Sequence, residues 1–183
     1  MAPHLHHRSL QHEECEAALL SAANMVFSAQ SCIGIAAGGF TSPSGAEHVF
    51  DQRADGYVRG EACGAIALRP ITENAATFTG SFDYTSSIAG NFNFTVPGSA
   101  IRQDGRSASL TAPNGQAQKM VVLAGITAAA SWKPQQISTI EAHGTGTALG
   151  DPIEVGALVE TALSPSLCLT GVKAILGECP IPV

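Results

Sequence analysis

A short run after residue 140 concentrates the side chains that are able to do chemistry. It holds His143, followed by Thr145 and Thr147 with glycines between them. Glycines let a backbone approach a ligand closely, and a neutral imidazole held at one ring nitrogen can donate its other N–H to a developing oxyanion. A lone histidine is more often structural than catalytic, but this setting favours a functional role for His143.

The elements on either side of this run indicate how it is positioned. Residues 137–141 have the apolar character of a short buried strand, and a helix is predicted from Pro152 to about residue 163, because proline is favoured in a first helical turn. The histidine therefore lies where a strand ends and a glycine-rich turn leads into a helix, a place at which α/β proteins commonly carry function. The free N–H groups of that helix start favour a negative charge.

The rest of the chain alternates short apolar runs with turns. The pattern predicts helices over residues 8–24 and 116–131 and strands over residues 63–68, 98–105 and 167–169. Residues 17–26 fit a buried strand as well as a helix, because Ala-rich runs are ambiguous. Glycines and a Ser-Pro-Ser-Gly turn predict a loop over residues 30–45. The aromatic segment 77–95 permits either a hairpin or a surface loop.

Composition narrows the class of protein. The chain has 183 residues, of which 45% are hydrophobic and 13% charged, which predicts a well-buried α/β or α+β body. A net charge of -6 without a Lys/Arg cluster argues against nucleic-acid binding. No apolar run is long enough for a transmembrane helix. The five scattered cysteines lack metal-ligand spacing, so we expect free thiols, no metal site and a cytoplasmic location.

The run EAHGTGTALGDPIE, from Glu141 to Glu154, resembles the signature of β-ketoacyl synthases, and specifically of the ketosynthase domains of modular type I polyketide synthases. Further segments agree with that family: LQHEECEAALLSAANMV, SPSGAEHVFDQRADGYVRGEACGAIAL, GSAIRQDGRSASLTAPNGQAQ and LTGVKAILG. Together they cover most of the chain.

The resemblance implies a thiolase-like layered α/β/α/β/α fold, here incomplete. On this basis residues 1–75 form the end of the N-terminal ketosynthase half. Residues 76–97 form a variable, insertion-like segment, and residues 98–183 form the start of the C-terminal half with the HGTGT motif.

The chemistry implied by the resemblance is that of a 3-oxoacyl synthase of polyketide or fatty-acid-like biosynthesis. Such an acyltransferase joins an acyl thioester to a malonyl-type extender by decarboxylative Claisen condensation. A cysteine carries the acyl chain, and two histidines stabilise the enolate or the oxyanion. His143 matches the first histidine, and Lys173 matches a lysine behind the second. Thr145 and Thr147 match positions that touch the phosphopantetheine arm.

The same resemblance implies the partners. No cofactor is expected on this chain, since the substrates are carried on the phosphopantetheine of an acyl carrier protein. The expected partners are that carrier, other polyketide synthase domains, and a second copy in a homodimer of the full domain. Neither nucleic acid nor a membrane is expected.

Two departures from the family pattern limit the expected activity. The nucleophilic cysteine matches a position before Met1, and Glu178 stands where the second histidine is expected. We therefore expect a fragment that does not condense substrates by itself. The alternative is a non-catalytic ketosynthase-like segment, or pseudoenzyme, with a binding or assembly role. A thiolase or a chain-initiating synthase fits the motifs less well.

Overall fold

The computed structural model describes residues 1–70, 78–82, 92–109, 112–129, 132–161 and 166–176. The helices are α1 (Ala2–Gln11), α2 (Ala29–Ala37), α3 (Gly115–Ala128), α4 (Gly150–Val159) and α5 (Lys173–Leu176), with one 3₁₀ turn at Pro134–Gln136. The strands are β1 (Ala18–Asn24), β2 (Ala62–Pro70), β3 (Phe78–Phe82), β4 (Phe92–Val96), β5 (Thr139–Glu141) and β6 (Cys168–Thr170). Strands β1 to β4 form an antiparallel sheet in that order, and β5 pairs with β6 in parallel.

The first sheet packs against α1 through a small apolar cluster. Strand β1 alternates as a half-buried strand should: Ala18 and Leu20 are buried, while Leu19 between them is 68% exposed. Ala18 lies opposite Leu68 of β2, and Leu10 of α1 completes the cluster. Burial of each leucine contributes roughly 1.5–3 kcal/mol, so these few side chains account for the docking of the helix on the sheet.

Two histidines attach α1 to the segment that follows β4. The Nδ1 atoms of His4 and His7 lie 2.9 Å and 2.6 Å from the Oγ of Ser99. His7 is only 2% exposed, and this burial, with the nearby positive charge of His4 and Arg8, lowers the pKa of its imidazole. The neutral ring is therefore the form that suits this position.

The second half of the chain contains a β-α-β unit. Helix α4 connects the parallel strands β5 and β6, as a parallel pair requires. Helix α3 packs against α4, and its first turn is capped by the Asn114 Oδ1 atom, which accepts from the N–H groups of Gln116 and Ala117 at 3.1 Å and 3.2 Å. The predicted α3, β5, α4 and β6 are thus present, with ends shifted by a few residues.

Three local predictions were wrong. The predicted loop over residues 30–45 contains α2, which is capped by Ser28. The predicted helix over residues 8–24 ends at Gln11, and the alternative strand is present as β1. Residues 98–105 form no strand, because Gly98 lies against the end of α3, where an added Cβ would come within 2.5 Å of the Ala129 nitrogen.

The aromatic segment adopts the hairpin alternative where it is described. Strands β3 and β4 pair antiparallel, with Phe82 opposite Phe92 and Phe78 opposite Val96. Residues 83–91, between these strands, lie outside the described residues. The division of the chain at residues 75 and 98 stays a prediction.

Candidate active site at the His143 turn

His143 and Lys173 each lie two or three residues beyond the carboxyl end of a strand. Glu141, the last residue of β5, pairs with Thr170, the last residue of β6, and the Ala142 amide extends the pairing by donating to the Thr170 carbonyl at 2.9 Å. Because neighbouring parallel strands end at the same edge of a sheet, residues that follow them are brought together. This topology explains how two residues 30 positions apart in sequence come into contact.

The Lys173 ammonium is bonded to the His143 ring. Its Nζ atom lies 2.7 Å from the Nδ1 atom of His143. An ammonium group has protons to donate and no lone pair to accept, so Nδ1 is the acceptor and the neutral ring carries its proton on Nε2. The side chain of His143 is exposed, which leaves this Nε2–H accessible. An N–H donor oriented in this way is suited to stabilise an oxyanion.

Glu154, one helical turn inside α4, holds the backbone of the turn. Its Oε1 atom accepts from the His143 amide at 2.7 Å, and its Oε2 atom accepts from the Gly144 amide at 2.9 Å. Hydrogen bonds to a charged acceptor are stronger than neutral ones. One carboxylate therefore sets the direction in which the chain leaves β5, and with it the position of the imidazole.

Glycines let the turn fit against the loop of residues 46–58. Gly144 has φ of +46°, and a Cβ added there would lie 2.6 Å from Cγ1 of Val49. The same loop is tied to the turn by a hydrogen bond from the Gly56 amide to the Gly146 carbonyl at 3.0 Å. The buried Asp151 accepts from the Phe50 amide at 2.8 Å. Only a residue without a side chain suits position 144.

Glu141 holds the turn that precedes Lys173. Its two carboxylate oxygens accept from the Thr170 hydroxyl and from the Val172 amide, each at 2.5 Å. These two bonds, and then the charge of Lys173, lower the pKa of the Glu141 carboxyl, which more than offsets desolvation. The carboxylate is therefore the form that occupies this position at neutral pH.

The two threonines lie on the wall of a cavity that also reaches the histidine. The Oγ1 atoms of Thr145 and Thr147 are 3.0 Å apart, and the latter accepts from the Gly150 amide at 3.2 Å. The cavity has a volume of about 940 Å³. Besides these threonines and His143, its lining residues include Phe40, Tyr57, Arg59, Leu149 and Glu154. The two threonines and the histidine therefore line the same cavity.

The four residues predicted from the sequence therefore lie at one edge of the second sheet, in two pairs. The resemblance places Lys173 in the hydrogen-bond network behind a second histidine, and this role stays a prediction. In the structure Lys173 contacts His143. Position 178 lies outside the described residues. No cysteine among those that the structure describes lines the cavity.

Sequence reasoning did not assign roles to Glu141 and Glu154. Both belong to the motif that contains His143. Each lies three or four residues from a glycine of the turn. Such acids can accept from main-chain N–H groups that a tight turn leaves without strand or helix partners, and this was the available signal.

Within the described ranges, no group of His, Cys, Asp and Glu side chains is arranged to hold a metal ion. No described helix is long and apolar enough to cross a membrane.

Comparison with known families assigns the two halves of the chain in order. The β-ketoacyl synthase N-terminal domain matches residues 1–74, and the β-ketoacyl synthase C-terminal domain matches residues 94–180. The edge of parallel strands that holds His143 lies within the second match. The fold is thus of the thiolase-like class, and the chain belongs to the β-ketoacyl synthase family as part of a polyketide synthase ketosynthase domain.

Curated relatives agree with this assignment. The chain is 38% identical over 184 residues to the polyketide synthase ThaG of Burkholderia thailandensis, a match that covers 97% of this chain and 3% of the relative. It is 36% identical over 183 residues to the highly reducing polyketide synthase rstn3 of Aspergillus nomiae, covering 97% of this chain and 7% of that protein. The chain therefore spans only a small part of these relatives.

Solved structures confirm the predicted thiolase-like fold. The chain superimposes on the oxazolomycin ketosynthase domain of Streptomyces albus with a TM-score of 0.81 at 26% identity, covering 97% of this chain and 30% of that one. The ketosynthase from module 6 of the bacillaene synthase of Bacillus subtilis gives a TM-score of 0.77 at 27% identity, with 96% and 30% covered.

Proposed function

We propose that this chain contributes one wall of a site that performs a decarboxylative Claisen condensation. An acyl group held as a thioester on a cysteine of the complete domain is attacked by the enolate formed when a malonyl-type extender loses CO₂. A carbon–carbon bond forms, the carbon–sulfur bond to the cysteine breaks, and the β-ketoacyl product stays on the carrier thiol. The site would thus act as a 3-oxoacyl synthase of polyketide or fatty-acid-like biosynthesis.

The observation that carries this proposal is the bond between Lys173 and the Nδ1 atom of His143. It leaves the remaining N–H of a neutral imidazole to donate within the cavity that His143 lines, where we propose that negative charge develops on the thioester carbonyl oxygen of the extender during decarboxylation. A preorganised donor at that oxygen stabilises the transition state more than the ground state. His143 and Lys173 are accordingly the catalytic pair that this chain supplies.

The role proposed for Thr145 and Thr147 is to bind the phosphopantetheine arm of an acyl carrier protein. Their hydroxyls lie on the cavity wall beside His143, and hydroxyls suit the amide groups of such an arm because they both donate and accept.

Other polyketide synthase domains, and a second copy of the complete domain, are the further proposed partners. Since the four cysteines at positions 15, 32, 63 and 168 are free thiols, we place the reaction in the cytoplasm.

Carrier binding by this chain can be measured without turnover. Titration of the ¹⁵N-labelled chain with a carrier protein that bears its phosphopantetheine arm should shift the amide signals of Thr145 and Thr147. The same carrier without the arm is the matched control and should leave these signals unchanged. Replacing both threonines by valine keeps their shape but removes the hydroxyls, and should abolish the shift. Equal shifts with both carriers would contradict the proposed arm site.

Condensation gives a second readout. Incubation of the isolated chain with acyl and malonyl carrier thioesters should give no β-ketoacyl product by mass spectrometry, since none of the described cysteines lines the cavity. Product formation by the isolated chain would show that a cysteine of this chain is the nucleophile. Arm binding without any contribution of the segment to condensation in a longer polyketide synthase chain would favour the non-catalytic role.

A further inference from the structure

We propose that Glu141 is a positioning residue that acts through Lys173 to fix the proton of His143 on Nε2. This inference rests on the proposed function of His143 as an oxyanion donor. It concerns how that donor is prepared and involves no contact between Glu141 and the substrate.

The first step is the pair of contacts made by the carboxylate. One oxygen accepts from the Val172 amide and the other from the Thr170 hydroxyl. The same hydroxyl lies 3.2 Å from the Ile140 carbonyl. The carboxylate therefore bridges the end of β5 to the main chain that leaves β6, beyond the last strand pair of the sheet.

The second step is the effect on Lys173. Val172 directly precedes Lys173, the first residue of α5, and that helix is a single turn held by bonds from Ala174 to Gly171 at 3.1 Å and from Ile175 to Val172 at 3.0 Å. A helix of one turn is marginal without side-chain support. The hydrogen bond from the Val172 amide to Glu141 therefore fixes the position of the Lys173 backbone. That position determines whether the Lys173 ammonium can reach His143.

The third step is electrostatic. Glu141 and Lys173 interact favourably, which contributes to the lowered pKa of the Glu141 carboxyl. This attraction helps to hold the Lys173 ammonium beside the turn, and an ammonium group can only donate towards Nδ1. Position and charge thus both favour the tautomer with its proton on Nε2.

The tautomer can be observed directly in the chain as it exists. Two-bond ¹H–¹⁵N correlation spectra of the ¹⁵N-histidine-labelled protein, at about pH 8 where histidines are neutral, distinguish a proton on Nδ1 from one on Nε2. The His143 signal is identified by its loss in a His143→Gln variant. We expect the Nε2–H form in the wild type. In Glu141→Ala the ratio of Nε2–H to Nδ1–H should fall about tenfold, the change that one lost hydrogen bond to a charged group produces.

Conservative variants separate position from charge. Glu141→Gln can still accept from the Val172 amide and donate its NH₂ to the Thr170 hydroxyl, so it should retain the Nε2–H form. Glu141→Asp keeps the charge but is one methylene shorter, so it should lose much of the preference. Because Asp and Gln are milder changes than Ala, they also serve if Glu141→Ala does not fold. If the preference for Nε2–H is retained in Glu141→Asp and lost in Glu141→Gln, the charge of Glu141 alone sets the tautomer. The proposed positioning role would then be wrong.

A direct control removes the ammonium itself. Lys173→Met should lower the ratio of Nε2–H to Nδ1–H at least as much as Glu141→Ala does. If Lys173→Met changes the tautomer ratio and Glu141→Ala does not, the proposed role of Glu141 is wrong while the role of His143 stands. If neither variant changes it, the relay as a whole is wrong. Failure of the carrier to bind would instead count against the proposed function, and it leaves the tautomer measurement unaffected.

Discussion

Replacement of Glu154 by glutamine should destabilise the chain far more than its partly exposed position suggests. The carboxylate accepts from the amides of His143 and Gly144 with separate oxygens, at 2.7 Å and 2.9 Å. Glutamine has a single carbonyl oxygen, so one amide keeps its acceptor while the other faces an NH₂ group that cannot accept. The remaining bond also loses its charge.

The magnitude follows from these two losses. A hydrogen bond to a charged group contributes roughly 1.5–3 kcal/mol, and an orphaned donor at a buried site costs about 1–3 kcal/mol. Gly144 is buried, whereas the His143 side is more open to water, so we expect a total loss of about 2–3 kcal/mol. For a chain of this length that corresponds to a fall in Tm of roughly 4–12 °C.

A matched control lies on the same helical segment. Glu160 follows α4, is 58% exposed and pairs with Lys119 of α3 at 3.2 Å. Solvent screens such a pair, so Glu160→Gln should cost at most about 0.5 kcal/mol. The two variants carry the same chemical change and the same change in net charge.

Urea denaturation followed by circular dichroism measures both free energies of unfolding. Amide hydrogen exchange at residues 143 and 144 should accelerate in Glu154→Gln and stay unchanged in Glu160→Gln, because the loss is local. If the two variants unfold within about 0.5 kcal/mol of each other, Glu154 does not hold the turn, and the explanation for the position of His143 fails.

Two further predictions concern the turn and helix α1. Gly144→Ala should destabilise by about 2–4 kcal/mol in thermal unfolding, because a Cβ there meets Val49 and the residue has a positive φ. Gly156→Ala, within α4 and with nothing within 4 Å of its Cβ, should instead stabilise by about 0.5–1 kcal/mol, and equal effects of the two changes would contradict the geometry. The pKa of His7 is lowered from its ordinary value of 6.5 in the folded chain, so the unfolded chain binds more protons below about pH 6.5. The stability that His7 contributes should therefore be present above about pH 6.5 and decrease as the pH falls below that value. Urea midpoints between about pH 7.5 and 5 check this, and an unchanged slope in His7→Gln would show that another group is responsible.

Much of the second half of the chain could be predicted because its information is local. An apolar run, a glycine-rich turn and Pro152 were enough to predict β5, the turn and α4 in order. The predicted start of a helix at residue 116 likewise lies within one residue of the start of α3, which Asn114 caps. Turn and capping chemistry involve residues only a few positions apart, so they can be recognised without knowledge of the fold.

Other parts of the chain were less predictable because their structure depends on packing. Helix α2 combines apolar residues with Gly34, and its cap, Ser28, lies outside the run whose glycines predict a loop. Residues 98–105 contain a strand-like pattern, yet Gly98 lies against the end of α3, which removes the segment from the sheet. Such outcomes are decided by contacts with distant parts of the chain, which override local propensity.

For the His143 turn, the sequence by itself determined the residue types and the local geometry. The histidine, the threonines and the glycines that permit the turn all lie within a few positions of one another. Tertiary structure alone decided the direction of the imidazole proton. The parallel pairing of β5 with β6 aligns Glu141 with Thr170 and so brings Lys173 to the Nδ1 atom of His143. Strand register over that separation depends on the packing of both strands and the connecting helix, so no short stretch of sequence specifies it.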